Sequence, residues 1–251
     1  MIPGHLVFLD LETTGATPLH DRIIEIGLCE VIDGKVVCEW STLVNPEKTI
    51  SPFIEKFTGI NNAMVANKST FAEISHELIE RLSGKVLVAH NARFDYGFLK
   101  SEFRRLQMNF QAKVLCTVKL SRALYPQHRR HNLDALAERH GLSSQNRHRA
   151  LGDARIVWEF FQKIHFELPP ERISQAVASQ LKQPSLPPYL PKEQIEALPS
   201  VPGVYLLYGE NESLLYIGKS IDIRSRVLSH FAGDHRVHKG MRLSQQVRRI
   251  D

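Results

Sequence analysis

Two carboxylates lie two residues apart near the N-terminus, in the segment FLDLETTG at residues 8–15. The apolar residues before them predict a β-strand over residues 5–11, and side chains alternate in direction along a strand. Asp10 and Glu12 therefore point to the same side. Two adjacent carboxylates repel each other, and burying them without partners costs free energy. A divalent cation offsets both costs, so this pair favours a metal site over an exposed edge of ordinary acids.

Two further aspartates lie near the starts of predicted helices, on the sides that face the protein interior. Asp95 heads the apolar stripe of a helix predicted over 92–107, and Asp153 heads that of a helix predicted over 150–165. An isolated aspartate at such a position is more often a helix cap than a ligand. Asn91 is the better predicted cap of the first helix, which leaves Asp95 available as a ligand.

His148 precedes Asp153 by five residues, so on a continuous helix the two side chains would point about 140° apart. We therefore expect His148 on the loop or first turn before the helix, where it approaches the carboxylates from another side. Four inward carboxylates and one histidine suit two divalent cations about 4 Å apart that hold a phosphodiester. Oxygen ligands favour Mg²⁺ or Mn²⁺, and the histidine is placed to accept the proton of the attacking water.

The chain resembles the DEDDh class of 3′–5′ exonucleases, which includes the DnaQ-like epsilon proofreading subunit of DNA polymerase III. The resemblance spans residues 5–165 and depends on three ordered segments, FLDLETTG, HNARFD and HRALGD, which together are far more specific than one pair of acids. It implies an α/β, RNase H-like fold, a mixed five-stranded sheet with flanking helices. It also implies individual roles: catalytic metal ligands at Asp10, Glu12, Asp95 and Asp153, a general base at His148, and substrate contacts at Thr13, Thr14, Gly15, His90 and Asn91.

Composition divides the 251 residues into an α/β domain, a linker and the start of a second domain. Predicted strands at 5–11, 23–32 and 35–44 form a meander, and later strands alternate with helices, which indicates a mixed sheet. Eight of the 13 prolines lie between Pro169 and Pro202, which predicts an extended linker. The expected boundaries are 1–167 for the first domain, 168–200 for the linker and 201–251 for the second domain.

The second domain carries phenolic and basic residues that suit a phosphate. Residues 202–231 predict a hairpin followed by a helix, on which Arg226 and His230 share a face because they are four residues apart. This segment resembles the GIY-YIG endonuclease domain of the UvrC and Cho repair nucleases, with the tripeptides Gly203-Val204-Tyr205 and Tyr216-Ile217-Gly218. The resemblance implies a candidate site at Tyr205, Tyr216, Lys219, Arg226 and His230.

The two tyrosines can act on one phosphate only if the hairpin places them on the same face. A plain five-residue loop at 209–213 would separate them, so we predict either a four-residue loop at 209–212 or a β-bulge. Family members carry a metal-binding glutamate on a later helix, whereas no glutamate occurs between Ser229 and Asp251. We therefore expect a truncated, small α/β GIY-YIG domain without endonuclease activity in this chain, and the sequence leaves open whether the natural product is longer.

The charge changes along the chain. Residues 1–99 hold 8 Lys/Arg and 13 Asp/Glu, whereas residues 100–155 hold 12 and 4. This pattern suits a metal site facing a polyanion, although a solvated basic helix face explains it about equally well. No apolar run is long enough to span a membrane and no signal peptide is recognisable, so we expect a cytoplasmic protein with free thiols. Cys29 and Cys38 are expected opposite each other across a turn at Asp33-Gly34.

We expect a metal-dependent 3′–5′ exonuclease that acts on single-stranded or frayed 3′ ends of DNA in repair or replication. An RNA-trimming exoribonuclease is the alternative, because no residue clearly reads a 2′-hydroxyl. A nucleic-acid-binding protein with vestigial nuclease sites is disfavoured for the first domain but not for the second. Gln183-Pro184-Ser185-Leu186 resembles a peptide that binds the sliding clamp, although a proline-rich spacer is the favoured interpretation. The clamp and a polymerase are therefore candidate partners.

Overall fold

The computed structural model describes residues 4–143, 147–182, 187, 189–231, 243 and 246–251. The chain divides into two compact units, Met1–Lys182 and Gln183–Asp251. Among the residues that the structure describes, no helix combines the length and the apolar character needed to cross a membrane.

A mixed five-stranded sheet forms the centre of the first unit. Its strands are β1 (His5–Thr13), β2 (Ile23–Ile32), β3 (Lys35–Leu43), β4 (Val86–Ala89) and β5 (Lys113–Cys116). The strand order is β3-β2-β1-β4-β5. β1 and β2 are antiparallel, as are β2 and β3, whereas β4 runs parallel to both β1 and β5. The sheet is thus mixed and five-stranded, as predicted.

Helices cover both faces of this sheet. In the described part of the first unit they are α1 (Pro52–Thr58), α2 (Asn62–Val65), α3 (Phe71–Leu82), α4 (Arg93–Arg105), α5 (Thr117–Leu124), α6 (Leu133–His140), α7 (Ala150–Glu167) and α8 (Pro170–Lys182). Leu6 and Phe8 of β1 pack in the core that contains α7, whereas Val7 and Leu9 pack in the core that contains α3 and α4. Because side chains alternate along β1, Asp10 and Glu12 point to the α7 side.

The first turn of α7 lies directly against β2. An ideal Cβ on Gly27 would lie 2.1 Å from the backbone nitrogen of Leu151, so only glycine permits this approach. Gly27 pairs with Asp10 across the β1–β2 ladder. The glycine therefore brings the start of α7 to the carboxylates of β1.

The first unit ends at Lys182 rather than at the predicted boundary, residue 167. Residues 170–182 form a helix and not an extended linker, because a proline is tolerated in the first turn of a helix. Ile173 and Val177 of this helix are fully buried in the core that contains α7. Proline content predicted a linker here, but burial of the apolar stripe of residues 170–182 stabilises a helix instead.

The register of β2 against β3 differs from the prediction. Their ladder shifts between Glu30 and Val31, so that Cys29 pairs with Glu39 and Cys38 pairs with Glu30. The two cysteines are therefore not opposite each other, because a bulge moves one strand by a residue. Both are free, as is Cys116.

The second unit contains a small three-stranded sheet. Its described elements are α9 (Lys192–Glu196), β6 (Gly203–Tyr208), β7 (Leu214–Ser220), α10 (Ile223–Phe231) and β8 (Arg249–Ile250), with strand order β7-β6-β8. Tyr205 and Leu207 of β6 pack against Val227 and Phe231 of α10. Ile195 of α9 is buried in the same core, so part of the predicted linker belongs to this unit.

Candidate active site

Carboxylates from two elements converge at the end of β1. Asp10 and Glu12 lie on β1, Asp153 lies in the first turn of α7, and one carboxylate oxygen of each lies within 4.8 Å of the others. Asp95 is buried beside them, where its carboxylate accepts the backbone N–H of Leu11 and its charge raises the pKa of Asp10. The fold therefore brings together the four carboxylates predicted as ligands, and three of them form one potential ligand set.

Burial and mutual repulsion raise the pKa values of these carboxyl groups. The pKa of Glu12 rises to about 7 and that of Asp95 to about 8, with burial as the largest cause in both. Burial, followed by the charges of Asp95 and Asp153, also raises the pKa of Asp10 well above its usual value. The donor set consists of carboxylate oxygens that are costly to ionise without a cation, so it fits a hard divalent ion such as Mg²⁺ or Mn²⁺.

His148 lies on the loop directly before α7, as predicted, and adopts a left-handed backbone conformation with φ of 60°. Its backbone N–H donates to the carboxylate of Asp153. Its ring packs against Phe57 of α1, with ring centroids 4.5 Å apart. The histidine therefore adjoins the carboxylates without being a member of their ligand set.

Two aromatic residues of α1 were not singled out from the sequence. Phe53 and Phe57 lie four residues apart and are 76% and 54% exposed. Exposed aromatic side chains four residues apart form a surface on one side of a helix. The spacing in SPFIEKFTG was the available signal, but only the fold places this surface beside His148.

Arg147 also joins the site and was not predicted. Its guanidinium donates to Asp153 and, from Nε over 2.9 Å, to Asp134 of α6. Its charge lowers the pKa values of Asp10 and Glu12, against the larger effect of burial. Only the packing of the loop before α7 brings this basic group to the carboxylates.

The segment after Glu12 was predicted to contact substrate. In the structure its threonine side chains form hydrogen bonds within the loop that follows β1. The Thr13 hydroxyl donates to the carbonyl of Gly15 over 2.6 Å, and the Thr14 hydroxyl accepts the backbone N–H of Arg22 over 3.0 Å. Both threonine side chains thus order the loop between β1 and β2. Substrate contact by this segment stays a prediction.

His90 and Asn91 lie just after β4. Burial lowers the pKa of His90 to about 4, so its ring is neutral at neutral pH, and its Nδ1 lies 3.0 Å from Thr117 Oγ1. A hydrogen bond to the backbone of His131 acts on the pKa of His90 against burial, and in the described chain Oδ1 of Asn91 is buried without a hydrogen-bond partner. The predicted capping role of Asn91 is wrong, because it adopts φ of 64° and Ala92 occupies the N-cap of α4 without a side-chain bond.

The hairpin of the second unit places Tyr205 and Tyr216 on one face. Tyr205 pairs with Gly218 and Leu207 pairs with Tyr216, so the tyrosines are diagonal neighbours with ring centroids 5.9 Å apart. Tyr208 pairs with Leu214, and the register shifts after Leu207. The loop thus has five residues, and the predicted bulge, not the four-residue loop, creates the shared face.

Hydrogen bonds, burial and a closely packed glycine surround Tyr205. Tyr205 Oη lies 2.6 Å from His230 Nε2, and the side chain of Arg226 also bonds Tyr205. Burial, followed by Tyr216, raises the pKa of Tyr205 to about 12. A Cβ on Gly218 would lie 2.4 Å from the Tyr205 ring, so glycine is needed beneath it.

Lys219 is the one predicted member that the fold does not bring to this cluster. It pairs with Val204, whose side chain points away from Tyr205. A lysine next to Gly218 on a strand necessarily occupies the other face. The geometry therefore joins four of the five predicted residues.

Comparison with known proteins matches these two sites to two families. The exonuclease family model matches residues 7–161, and the model of the UvrC-like GIY-YIG domain matches residues 201–251. The chain belongs to the exonuclease family. Its match includes the carboxylates of β1 and α7 together with His148, and it confirms the predicted exonuclease class and RNase H-like fold.

The relatives combine the same parts in longer proteins. A protein of Mycobacterium tuberculosis (strain CDC 1551 / Oshkosh), described as a bifunctional exonuclease/endonuclease, is 38% identical over 92% of this exonuclease-family chain and 37% of its own length. A PolC-type DNA polymerase III of Caldanaerobacter subterraneus is 40% identical over 65% of this chain and 12% of its own length. The chain thus matches little more than a third of the first relative and about an eighth of the second.

A solved structure shows the same fold. Exonuclease X, in complex with 5′ overhanging duplex DNA, is 30% identical and covers 68% of this chain and 99% of its own, with a TM-score of 0.55. The likeness extends over the unit that carries the carboxylates. The fold family implies a divalent metal, and the carboxylates at the end of β1 fit one.

Proposed function

We propose that this chain hydrolyses phosphodiester bonds of DNA from the 3′ end and releases nucleoside monophosphates. The observation that carries the proposal is the convergence of Asp10, Glu12 and Asp153 within 4.8 Å, next to a histidine bonded through its backbone to Asp153. Membership of the exonuclease family supports the same reaction.

Each side chain has a role in this proposal. Asp10, Glu12, Asp95 and Asp153 would hold two divalent cations, Mg²⁺ or Mn²⁺, which when bound supply Lewis-acid stabilisation of the developing negative charge. The His148 imidazole accepts a proton from the attacking water at one ring nitrogen. Contact of His90 and Asn91 with the terminal nucleotide is part of the proposal, because both residues follow β4 directly before α4, the helix that carries Asp95.

The aromatic surface of α1 supports a single-stranded or frayed 3′ end as the substrate. Nucleobases that are not paired stack on exposed aromatic side chains. Phe57 offers such a face beside His148, and Phe53 extends it by one helical turn. A terminal base stacked there would lie next to the carboxylates that act on its phosphate.

The known substrates of related proteins favour DNA over RNA as the substrate. One relative is a DNA polymerase III, and Exonuclease X was solved with DNA. The second unit matches a UvrC-like domain, which also suits a role in DNA repair or replication. An exoribonuclease is the alternative, because the carboxylate site itself does not discriminate between the sugars.

One degradation experiment tests both polarity and substrate. A 5′-labelled DNA strand and an RNA strand of the same sequence are incubated with Mg²⁺, Mn²⁺ or EDTA. We expect a ladder of labelled DNA that shortens from the 3′ end only with metal, and that is absent with Asp10→Asn. Glu39→Gln is the matched control, since Glu39 lies outside the carboxylate group and pairs with Arg155. Release of the label as a mononucleotide before any ladder forms, or activity in EDTA, would contradict the proposal, and faster loss of RNA would favour the alternative.

We propose for the second unit only that its cluster contacts nucleic acid. The hydroxyl, guanidinium and imidazole groups of Tyr216, Arg226 and His230 suit a phosphate, and they cluster around the hydroxyl of the buried Tyr205. The expected lack of endonuclease activity is tested by incubating the Asp10→Asn chain with closed circular duplex DNA and metal. The residues that resemble a clamp-binding peptide, 183–186, lie outside the described residues. Binding of a clamp or polymerase and a cytoplasmic location remain proposals.

A further inference from the structure

Glu25 is a buried carboxylate that the proposed chemistry does not use. It lies on β2, is 3% exposed, and pairs with Glu12 of β1. Its Oε2 accepts the backbone N–H of Ala150 over 2.9 Å, and its Oε1 accepts Nε and Nη2 of Arg149 over 3.0 and 2.5 Å. Both oxygens are thus bonded to the segment that begins α7, and the charge of Glu25 also raises the pKa of its neighbour Glu12.

The partners of Glu25 follow His148 directly in the sequence. His148 has φ of 60°, a conformation that residues other than glycine adopt only where their surroundings hold them. On one side of the histidine, Arg149 and Ala150 are bonded to Glu25. The backbone N–H of His148 itself is bonded to Asp153. The loop conformation is therefore held by two carboxylates on different elements.

The packing around this contact is tight. Gly27 lies two residues after Glu25 on the same side of β2, and its missing Cβ lets the backbone of Leu151 approach the strand. A carboxylate at the N-terminus of a helix also interacts favourably with the unpaired N–H groups of its first turn. Glu25 and Gly27 thus fix the same turn of α7, one by hydrogen bonds and one by close contact.

We propose that Glu25 and Arg149 form a clamp that positions His148 for proton transfer. Glu25 is then a positioning residue, since it acts through the loop and touches neither metal nor substrate. This inference rests on the proposed function, because that function assigns proton transfer to His148. Loss of the clamp is expected to release the loop, while the close contact of Gly27 with Leu151 still holds the first turn of α7, which carries Asp153.

The kinetic test compares four variants with a matched control pair. The variants are Glu25→Ala, Glu25→Gln, Arg149→Met and the double variant Glu25→Ala/Arg149→Met. The control variants, Glu39→Gln and Arg155→Met, break an ion pair that joins the same helix α7 to the sheet through β3, over 2.7 Å. Any general loosening of α7 on the sheet should affect both sets equally.

We expect Glu25→Ala and Arg149→Met to lower kcat about 10- to 100-fold, the scale of a displaced catalytic group, with KM changed less than about threefold. Glu25→Gln should recover part of the loss, because its amide oxygen still accepts the Ala150 N–H. The double variant should be no slower than the worse single variant, since both changes remove one interaction. The control variants should stay within about twofold of the unsubstituted chain.

A second readout needs no activity. The imidazole resonances of His148 are identified in the metal-free chain by their loss in His148→Gln. They should shift in Glu25→Ala and Arg149→Met but not in Arg155→Met. If the unsubstituted chain degrades no nucleic acid, the proposed function fails, and these spectra still test the clamp.

Two results would overturn the clamp. One is an unchanged His148 resonance and kcat in Arg149→Met, whose side chain is 45% exposed in the unsubstituted chain and whose loss leaves the core intact. The other is an equal loss of kcat in Arg155→Met, which would assign the effect to general packing of α7. If Glu25→Ala does not fold, Arg149→Met and Glu25→Gln decide the outcome.

Discussion

The ring of Phe57 packs against the imidazole of His148, with ring centroids 4.5 Å apart. One face of the general-base candidate is therefore covered by a side chain that is itself more than half exposed. Exposure of Phe57 leaves room for a nucleobase next to the same imidazole. The contact links a proposed binding surface to the proposed chemistry.

Replacing Phe57 by alanine should lower kcat/KM on single-stranded DNA about 10-fold or more, because stacking of a base on an aromatic ring contributes about 1–3 kcal/mol. Phe57→Tyr should retain most of the activity, since it keeps the aromatic face. Phe166→Ala is the control, because Phe166 is 88% exposed near the end of α7. Equal kinetics for Phe57→Ala and Phe166→Ala would remove the stacking surface from the proposal.

Asp10→Asn should abolish exonuclease activity and yet stabilise the metal-free protein. The substitution removes a carboxylate whose ionisation is opposed by burial and by Asp95 and Asp153. At pH 7.5 in EDTA the free energy of unfolding should rise by about 1 kcal/mol or more, the equivalent of one pKa unit. The labelled-strand assay measures the activity, and denaturant unfolding with and without Mn²⁺ measures the stability and its dependence on metal. A variant that is still stabilised by Mn²⁺ as strongly as the unsubstituted chain would argue against Asp10 as a ligand.

The stability of the metal-free protein should fall as the pH rises from 6.5 to 8. Glu12 and Asp95 have pKa values of about 7 and 8 in the folded chain, above those of the unfolded chain. The folded state therefore keeps protons that the unfolded state has released, which gives the free energy of unfolding a negative slope with pH. The lowered pKa values of His90, His131 and His140 act in the opposite direction, mainly in the lower part of this range and below it. Unfolding curves at four pH values in EDTA measure this dependence, and Asp95→Asn should make it weaker. A free energy of unfolding that rises with pH over this range would contradict the assignment.

His148→Gln should lower turnover on the order of 10²-fold or more, the usual scale for a general base. The variant should still bind Mn²⁺, as measured by calorimetry, because the carboxylates and not the imidazole form the ligand set. A variant that loses metal binding and regains its rate in excess Mn²⁺ would instead identify His148 as a ligand.

In the second unit, one tyrosine should titrate near pH 12. Burial and the neighbouring Tyr216 raise the pKa of Tyr205 to about this value, so its hydroxyl stays protonated at neutral pH. Absorbance at 295 nm during alkaline titration should lose one tyrosine's share of the late phase in Tyr205→Phe, while Tyr125, whose pKa is also raised by burial and by Glu167, keeps its share. Tyr208→Phe is the matched control on the same strand. A smaller late phase in Tyr208→Phe would instead assign the raised pKa to Tyr208.

Several local features followed from sequence patterns alone. The 2-residue period of FLDLE placed Asp10 and Glu12 on one face of a strand, and the helical stripes turned Asp95 and Asp153 inward. Thr70 caps α3 through a capping box with Glu73, three residues further along the chain. Such features depend on residues close in sequence, whose spacing determines which side they face.

Other features depended on neighbours that a sequence does not show. The helical residues after Pro169 were predicted as linker because proline is common there, whereas burial of Ile173 and Val177 against the first unit favours a helix. Likewise, the sequence allowed either a four-residue loop or a bulge in the hairpin. The observed pairing of β6 with β7 contains the bulge. In both cases tertiary contacts outweighed a local preference.

The sequence by itself determined the kinds of residue available for chemistry and the family to which the chain belongs, since ordered acidic and histidine segments are seldom assembled by chance. The tertiary structure alone decided which additional groups surround them. Arg147, Phe57 and Glu25 reach the site from a loop, a helix and a neighbouring strand. Their positions depend on long-range packing, above all on the close approach of α7 to Gly27, and no spacing within a single segment encodes such an approach.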